Sequence, residues 1–355
     1  MRIGIDIDNT LTSIKNKLDK AAYDYAKKLN KNINDNLKIN DIHNNGNIYQ
    51  QKFNFTYEEL KYFLGPIQEE ITNNAIPREY CVDVINKLHN EGNEIYIITA
   101  RDNEFHDNPY LQSEIWLNEN NIYYDKLIVN ARDKKKACLE NNIDLFIDDS
   151  ISNCINVSKA GIMTITIDND NEKINGIINF NNWNQIYNFI TNNIIYKIIQ
   201  YNDNYKNEIC NFINKSMHKF IGRPYKDRPD ISNINDYYIN NNGNFWLAID
   251  VKKNKIIGSI ALDNRNNEYG ILKRFYVEEE HQNKGIGSKL YELFYDYIEK
   301  NTKIKKIYLV SDRVLQNAHR FYIHKGYKQI KKIDIDMHMN YAEDDDIFVK
   351  DIDRN

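Results

Sequence analysis

Six polar residues of the first half stand where apolar runs end: Asp6 and Asp8 in MRIGIDIDNTLT, Thr99 in EIYIITA, Lys134 just past KLIVN, and Asp148 and Asp149 after IDLFI. An aspartate inside an apolar run is costly to bury unless something pairs with its charge. Three or four clustered carboxylates repel one another unless a divalent cation joins them, and oxygen-only ligands select Mg²⁺. A hydroxyl and an ammonium beside such a cation supply the donors a phosphoryl group needs. An ionised Asp can attack phosphorus, and an acid two residues on can protonate the leaving oxygen and then deprotonate water. The second half carries a different signal, HQNKGIGSKL from His281 to Leu290. A strand, a glycine turn and a helix starting near Gly287 leave backbone N–H groups free at a helix N-terminus, an anion site suited to a pyrophosphate. Gly285 and Gly287 let the backbone approach, where a Cβ would intrude.

These residues need a scaffold that brings them together. Ile3–Ile7, Glu94–Ala100, Lys126–Asn130, Ile143–Ile147 and Met163–Ile167 read as buried strands of a parallel sheet, the last closing the set. Helices are expected over Arg78–Asn90, Leu111–Asn120, Asp133–Asn141 and Trp183–Ile190. Strands alternating with helices imply right-handed crossovers, so all the strand-end residues face one crevice. The polar, mostly helical stretch from Ile14 to about Ile76, with a loop over Asn40–Asn47, reads as a cap over that edge. Thr191–Asn193 reads as a short linker, with a first domain over 1–191 (cap about 13–76) and a second over 194–355.

In the second domain, Ile194–Ile199 reads as a strand and Lys206–His218 as a helix. Ile221–Asp236 reads as loop, FWLAID and IIGSIAL as a hairpin, and Ile271–Val277 as a strand. Lys306–Val310 is a strand, Gln316–His324 a helix, Asp344–Asp346 a solvated turn, and Ile347–Lys350 the final strand. Glu268, Glu278 and Glu279 are the acids available as a general base.

A chain of 355 residues exceeds what one core usually organises. A net charge of −4 gives no electrostatic footprint for nucleic acid. The four cysteines, Cys81, Cys138, Cys154 and Cys210, show neither paired metal spacing nor a disulfide framework, and no run reaches membrane-spanning length. A cytoplasmic protein without nucleic-acid or membrane partners is expected.

The motifs DIDNTLT, IITAR, the lysine of ARDKKKAC and LFIDDS resemble the four motifs of the haloacid-dehalogenase superfamily of phosphohydrolases, over Met1 to about Ile190. The match is close to its deoxyribonucleotidase-like branch, which places a cap after the first motif. The resemblance implies a Rossmann-like parallel sheet with a helical cap and a Mg²⁺-dependent phosphomonoesterase working through an aspartyl-phosphate. It implies Asp6 as nucleophile, Asp8 as general acid/base, and Thr99 and Lys134 as phosphate ligands. Asp6, the Asp8 carbonyl, and Asp148 or Asp149 would hold the metal. Lys126, Lys135 and Lys136 compete with Lys134 for that role.

The second domain resembles the GNAT acetyltransferases, a mixed α/β fold. VEEEHQNKGIGSKL looks like their coenzyme A pyrophosphate motif, implying Val277, Gln282, Lys284, Gly285, Ile286 and Gly287 as cofactor-binding residues. LQNAHRFYIHKGY looks like the segment whose Asn contacts the cofactor arm and whose Tyr protonates the departing thiolate, implying Asn317 and Tyr322. The whole reading is α/β: a phosphatase of small phosphate esters, nucleotides among them, joined to an acetyltransferase that uses acetyl-CoA and an amine acceptor. Its rivals are a phosphatase of non-nucleotide phosphates and a chain in which one domain only binds its ligand.

Overall fold

The computed structural model describes residues 1–37, 48–167, 177–265, 267–331 and 345–352. The loop read over Asn40–Asn47 and the residue Asp344 lie outside these. The chain divides into two compact units, Met1–Ile195 and Tyr196–Asn355.

In the first unit β1 (Arg2–Ile5) is followed by α1 (Lys15–Lys28), α2 (Ile48–Phe53), α3 (Tyr57–Tyr62) and α4 (Gln68–Asn73). Then come α5 (Cys81–Asn90), β2 (Glu94–Ile98), α6 (Pro109–Glu119), β3 (Lys126–Ile128), α7 (Lys134–Glu140), β4 (Leu145–Ile147), α8 (Ile151–Ser158), β5 (Met163–Ile167), β6 (Ile178–Phe180) and α9 (Trp183–Asn192). The strands form one parallel sheet in the order β3-β2-β1-β4-β5-β6. Met163–Ile167 therefore does not close the set. The short INF strand pairs beyond it, too brief and too polar to stand out in the sequence. Helix α9 runs on through Asn192, so two of the three residues expected as a linker are helical. Ile3 and Ile5 are fully buried in β1, as a strand covered on both faces requires.

The cap is an excursion that returns to its origin, because Thr12 and Pro77 form an antiparallel bridge. The Arg78 guanidinium pins that neck by donating to the carbonyls of Asn9 and Thr12. An aromatic cluster fills the cap, with Phe53, Phe55 and Phe63 buried against Tyr25 and Tyr49. Helix α3 begins with a capping box between Thr56 and Glu59 and passes into a π-helical segment, Phe63–Ile67. Phe105, from the loop after β2, packs on this cluster. Gly65 is what allows that approach, since a Cβ there would lie 2.8 Å from the Phe105 carbonyl oxygen.

In the second unit come β7 (Tyr196–Gln200), α10 (Lys206–Ile221), α11 (Pro229–Ser232), β8 (Asn244–Asp250), β9 (Lys255–Arg265) and β10 (Tyr269–Val277). They are followed by α12 (Ile286–Asn301), β11 (Lys306–Asp312), α13 (Gln316–His324), β12 (Lys328–Ile330) and β13 (Asp345–Asp351). The mixed sheet has the order β12-β13-β11-β10-β9-β8-β7. The stretch expected as loop over Ile221–Asp236 contains α11 and enters a π-helical turn at Asn235–Ile239, because Ile231, Ile234 and Tyr238 bury against β8 residues. Asp345 and Asp346 are not in a solvated turn: they open β13, opposite Asp312 and Ser311, and Asp345 is buried. The parallel pairing of β10 with β11 is confined to Gly270–Ile307 and Ile271–Tyr308, and a bulge between Lys273 and Tyr276 breaks the register of β10 with β9. Beyond Ile271 the two strands therefore enclose a cleft. Among the described residues no helix is long and apolar enough to cross a membrane.

Gly65→Ala should force the cap helix and the Phe105 loop apart and cost about 1–3 kcal/mol, as overpacking does. Thermal unfolding of the full-length variant would show this as a lowered midpoint, and an unchanged midpoint would contradict the close approach.

Candidate active sites

The carboxyl ends of β1, β2 and β4 bring the first group of residues together. The Asp6 N–H donates to the Ile147 carbonyl, and the Asp148 N–H to that of Ile165, so both acids continue the sheet just past its regular strands. Lys134 begins α7, whose N-cap is the Asp133 side chain. Its ammonium is buried and lies 2.5 Å from Asp6 Oδ1, and it also donates to the Ile98 carbonyl. Lys135 and Lys136 point to solvent, and Lys126 donates to Asn141, so geometry selects Lys134 from the four. Thr99, 1 % exposed, follows β2 on the same edge, and its Oγ1 accepts from the Arg101 N–H.

Carboxylate oxygens of Asp6, Asp148 and Asp149 lie within 4.8 Å of one another. Ser150 N–H and Asn153 Nδ2 hold the two oxygens of Asp148, while Thr10 Oγ1 accepts from the Asp149 N–H. Burial pushes Asp6 up, against the pull of Lys134. Burial and then the charge of Asp6 push Asp148 well up and Asp149 up to about 7. Lys134 is held protonated, because Asp6 and Asp148 outweigh the desolvation that opposes its charge. Three clustered, oxygen-only donors that resist ionising together fit a hard divalent cation.

The Asp8 side chain is not part of that trio. Arg101, the last residue of IITAR and without a role in the sequence reading, grips it with two hydrogen bonds, from Nη2 at 2.7 Å and Nε at 2.9 Å. Burial works against the Asp8 charge, but the guanidinium and its hydrogen bonds outweigh it and hold the carboxyl below the usual range. The signal available was an arginine two residues past a strand-end threonine. A cavity of about 610 Å³ opens beside this pair, walled by Tyr57, Leu60 and Leu64 of the cap and by Asp8, Arg101 and His106 below. Tyr57 hydrogen-bonds Glu104, which also pairs with Arg132, tying the cap to the loops after β2 and β3.

In the second unit the glycine turn precedes α12 as expected. Gly285 is the helix N-cap at φ +82°, a conformation that favours glycine. A Cβ on Gly287 would meet Phe275 and Val277 only at 3.6 Å, so the surrounding protein tolerates one there. Gln282 donates to the Val277 carbonyl, Lys284 is exposed, and Ile286 anchors the helix in the core. The neighbouring cleft, about 440 Å³, is lined by Arg274, Tyr276 and Tyr322 among others. Burial, with Tyr276 and Tyr291 nearby, pushes the Tyr322 hydroxyl up and keeps it protonated. Asn317 is exposed, accepts from Arg320, and does not line the cleft.

None of the three acids considered as a base reaches the cleft. Glu278 is held by Lys255 and Lys215, Glu279 pairs with Lys219, and Glu268 is exposed. Inside the cleft, Asp230 is locked by two hydrogen bonds from Arg274, whose φ of +52° marks the bulge, and by the Tyr238 hydroxyl.

A nucleotidase of Clostridium acetobutylicum is 30 % identical over 199 residues, which are 54 % of this chain and 93 % of that protein. By its first unit the chain belongs to this nucleotidase family. YqfW of Bacillus subtilis, provisionally named a nucleotidase, is 29 % identical over 198 residues, 54 % of this chain and 95 % of its own. Residues 241–329 match the acetyltransferase (GNAT) domain model, so the second unit carries a GNAT domain. A GNAT-family acetyltransferase of Staphylococcus aureus, known from its crystal structure, is 31 % identical, covering 44 % of this chain and 98 % of its own, with a TM-score of 0.40. The chain is an enzyme that joins a nucleotidase-like hydrolase to an acetyltransferase, and the GNAT domain implies use of acetyl-CoA.

Lys134→Ala should destabilise the first unit by about 3–5 kcal/mol, because it strips a buried acid of its partner. Added Mg²⁺ should restore part of that loss. Melting curves with and without Mg²⁺ test this, and a midpoint equal to wild type without metal would contradict the pairing.

Proposed function

We propose that the first unit hydrolyses phosphomonoesters, nucleotides among them, through an aspartyl-phosphate on Asp6. The observation that supports this reading is the single crevice holding Asp6, Lys134, Asp148 and Asp149 beside an Arg101-bound Asp8. Asp6, Asp148 and Asp149 would hold a Mg²⁺ ion, with the Asp8 carbonyl completing the set, and the bound ion would neutralise phosphoryl charge. Thr99 and Lys134 bind the phosphoryl oxygens. Asp6 attacks phosphorus; Asp8, which must first take up a proton against the pull of Arg101, protonates the departing oxygen and then takes a proton from the water that hydrolyses the acyl-phosphate. The cavity under the cap receives the rest of the ester.

For the second unit, the N-terminus of α12 binds the coenzyme A pyrophosphate through the turn Gln282–Gly287, with Val277 beside it. Tyr322 protonates the thiolate that leaves when an amine takes the acetyl group. Asn317, on the exposed side of α13, is assigned to the cofactor arm by the motif alone.

Phosphate release should occur from nucleoside monophosphates in preference to sugar phosphates, need Mg²⁺, and be abolished by a chelator. Asp6→Asn should lower it by several orders of magnitude, on the order of 10⁴ or more, as loss of a nucleophile does. Turnover retained in that variant with Mg²⁺ present would overturn the assignment. Gly285→Val forces a β-branched residue into the left-handed region. Calorimetry should show at least about tenfold weaker acetyl-CoA binding, the scale of 1.4 kcal/mol, and unchanged affinity would mean the turn binds something else.

A further inference from the structure

A serine, a histidine and an aspartate run in line from the cleft of the second unit outwards. Ser311, near the end of β11, lines the cleft, and its Oγ lies 3.1 Å from Nε2 of His319 on α13. Across the ring, His319 Nδ1 lies 3.8 Å from Asp346 Oδ2, and Arg313 donates to the other oxygen of that carboxylate at 3.1 Å. Ser311 and His319 are only 5 % and 7 % exposed. The arrangement is built in, because Ser311 and Asp346 are cross-strand partners of β11 and β13, and the Phe348 ring backs the imidazole at 4.9 Å. A hydrogen bond that merely satisfied a buried histidine would not need its serine in the wall of a reaction cleft. The other acids of the cleft are engaged: Asp230 by Arg274, Asp312 by the Val314 N–H, and Asp345 beside Arg223.

We propose that Ser311, with His319 and Asp346 behind it, takes the proton from the acceptor nitrogen. This rests on the acetyltransferase reading and supplies the base that reading lacks. The acceptor nitrogen attacks the thioester carbonyl carbon, the C–N bond forms and the C–S bond breaks. The sulfur leaves with the bonding pair and takes the Tyr322 proton. The N–H proton passes to Ser311 Oγ as the serine's own proton passes to His319 Nε2, and Asp346 balances the imidazolium. Imidazolium and tyrosinate then exchange protons with solvent, leaving an amide and a free thiol. The relay requires neutral His319 to carry its hydrogen on Nδ1, towards Asp346, with the Nε2 lone pair facing Ser311.

That tautomer is the test. The chain has eight histidines, and ¹⁵N-histidine labelling of the full-length protein, with His319→Gln to assign the signal, reads the ring directly. In the acetyl-CoA complex His319 should be the Nδ1–H tautomer, and its ring shifts should change in Ser311→Ala and Asp346→Asn. The Nε2–H tautomer would overturn the relay, since Ser311 could then not pass its proton on. With an accepted primary amine, Ser311→Ala and His319→Gln should lower kcat by about a hundredfold or more, with acetyl-CoA affinity unchanged and Ser311→Thr retaining activity. A kcat within about threefold of wild type in both, well short of a general-base effect, would also overturn it. Failure of the wild type to bind acetyl-CoA in calorimetry would instead overturn the acetyltransferase reading beneath it.

Discussion

The buried ion pair between Lys134 and Asp6 is the constraint around which the first unit is arranged. Three carboxylates converge where the parallel strands end, and a single buried ammonium is directed at them. Such a pair repays its desolvation only if the geometry is fixed and the remaining lone pairs are satisfied. The surroundings meet that condition. Ile98 supplies a carbonyl to the ammonium, Ser150 and Asn153 occupy the oxygens of Asp148, and Thr10 anchors Asp149. Three acids against one ammonium leave an excess of carboxylate, the setting in which a hard divalent cation is favourable.

Asp8 lies two residues on and in a different electrostatic setting. Its partner is the permanent charge of Arg101, so the neighbouring acids are pushed in opposite directions, Asp6 up and Asp8 down. These directions are the reverse of what a nucleophile and a general acid need, so the assigned roles require further positive charge beside Asp6 and a proton taken up by Asp8. The second unit shapes its cleft by backbone means. Strands β10 and β11 stop pairing after two residues, and the Arg274 bulge re-aims its side chain into a bidentate clasp on Asp230. The cleft is thus held open by unmade strand hydrogen bonds and braced by an ion pair.

Much of this could be read from the residues because the informative groups break a local rule. Asp6 and Asp148 are charges in apolar strands, and Gly285 sits where the chain must turn left-handed before a helix. What could not be read depends on partners remote in sequence. Arg101 meets Asp8 across 93 positions, and Asp346 meets Ser311 only once β13 has folded back beside β11. The choice of Lys134 over Lys135 and Lys136 rested on the motif alone, because consecutive helix positions look alike until one of them turns inward. Asp345 and Asp346 looked like a solvated turn because acid runs usually are. Pairing with β11 overrides that tendency. The INF strand was missed because three residues carry too little periodicity to register.

The cap's neck has a further consequence. Since Thr12 and Pro77 face each other across a single bridge, the excursion between them begins and ends at one point, clamped by Arg78. Closing such a loop costs little more entropy when it is lengthened, as the penalty grows only with the logarithm of its length. The core sheet therefore behaves as a socket into which helical inserts of different size can be plugged. In this architecture the insert can change length while the acids at the strand ends stay where the sheet puts them.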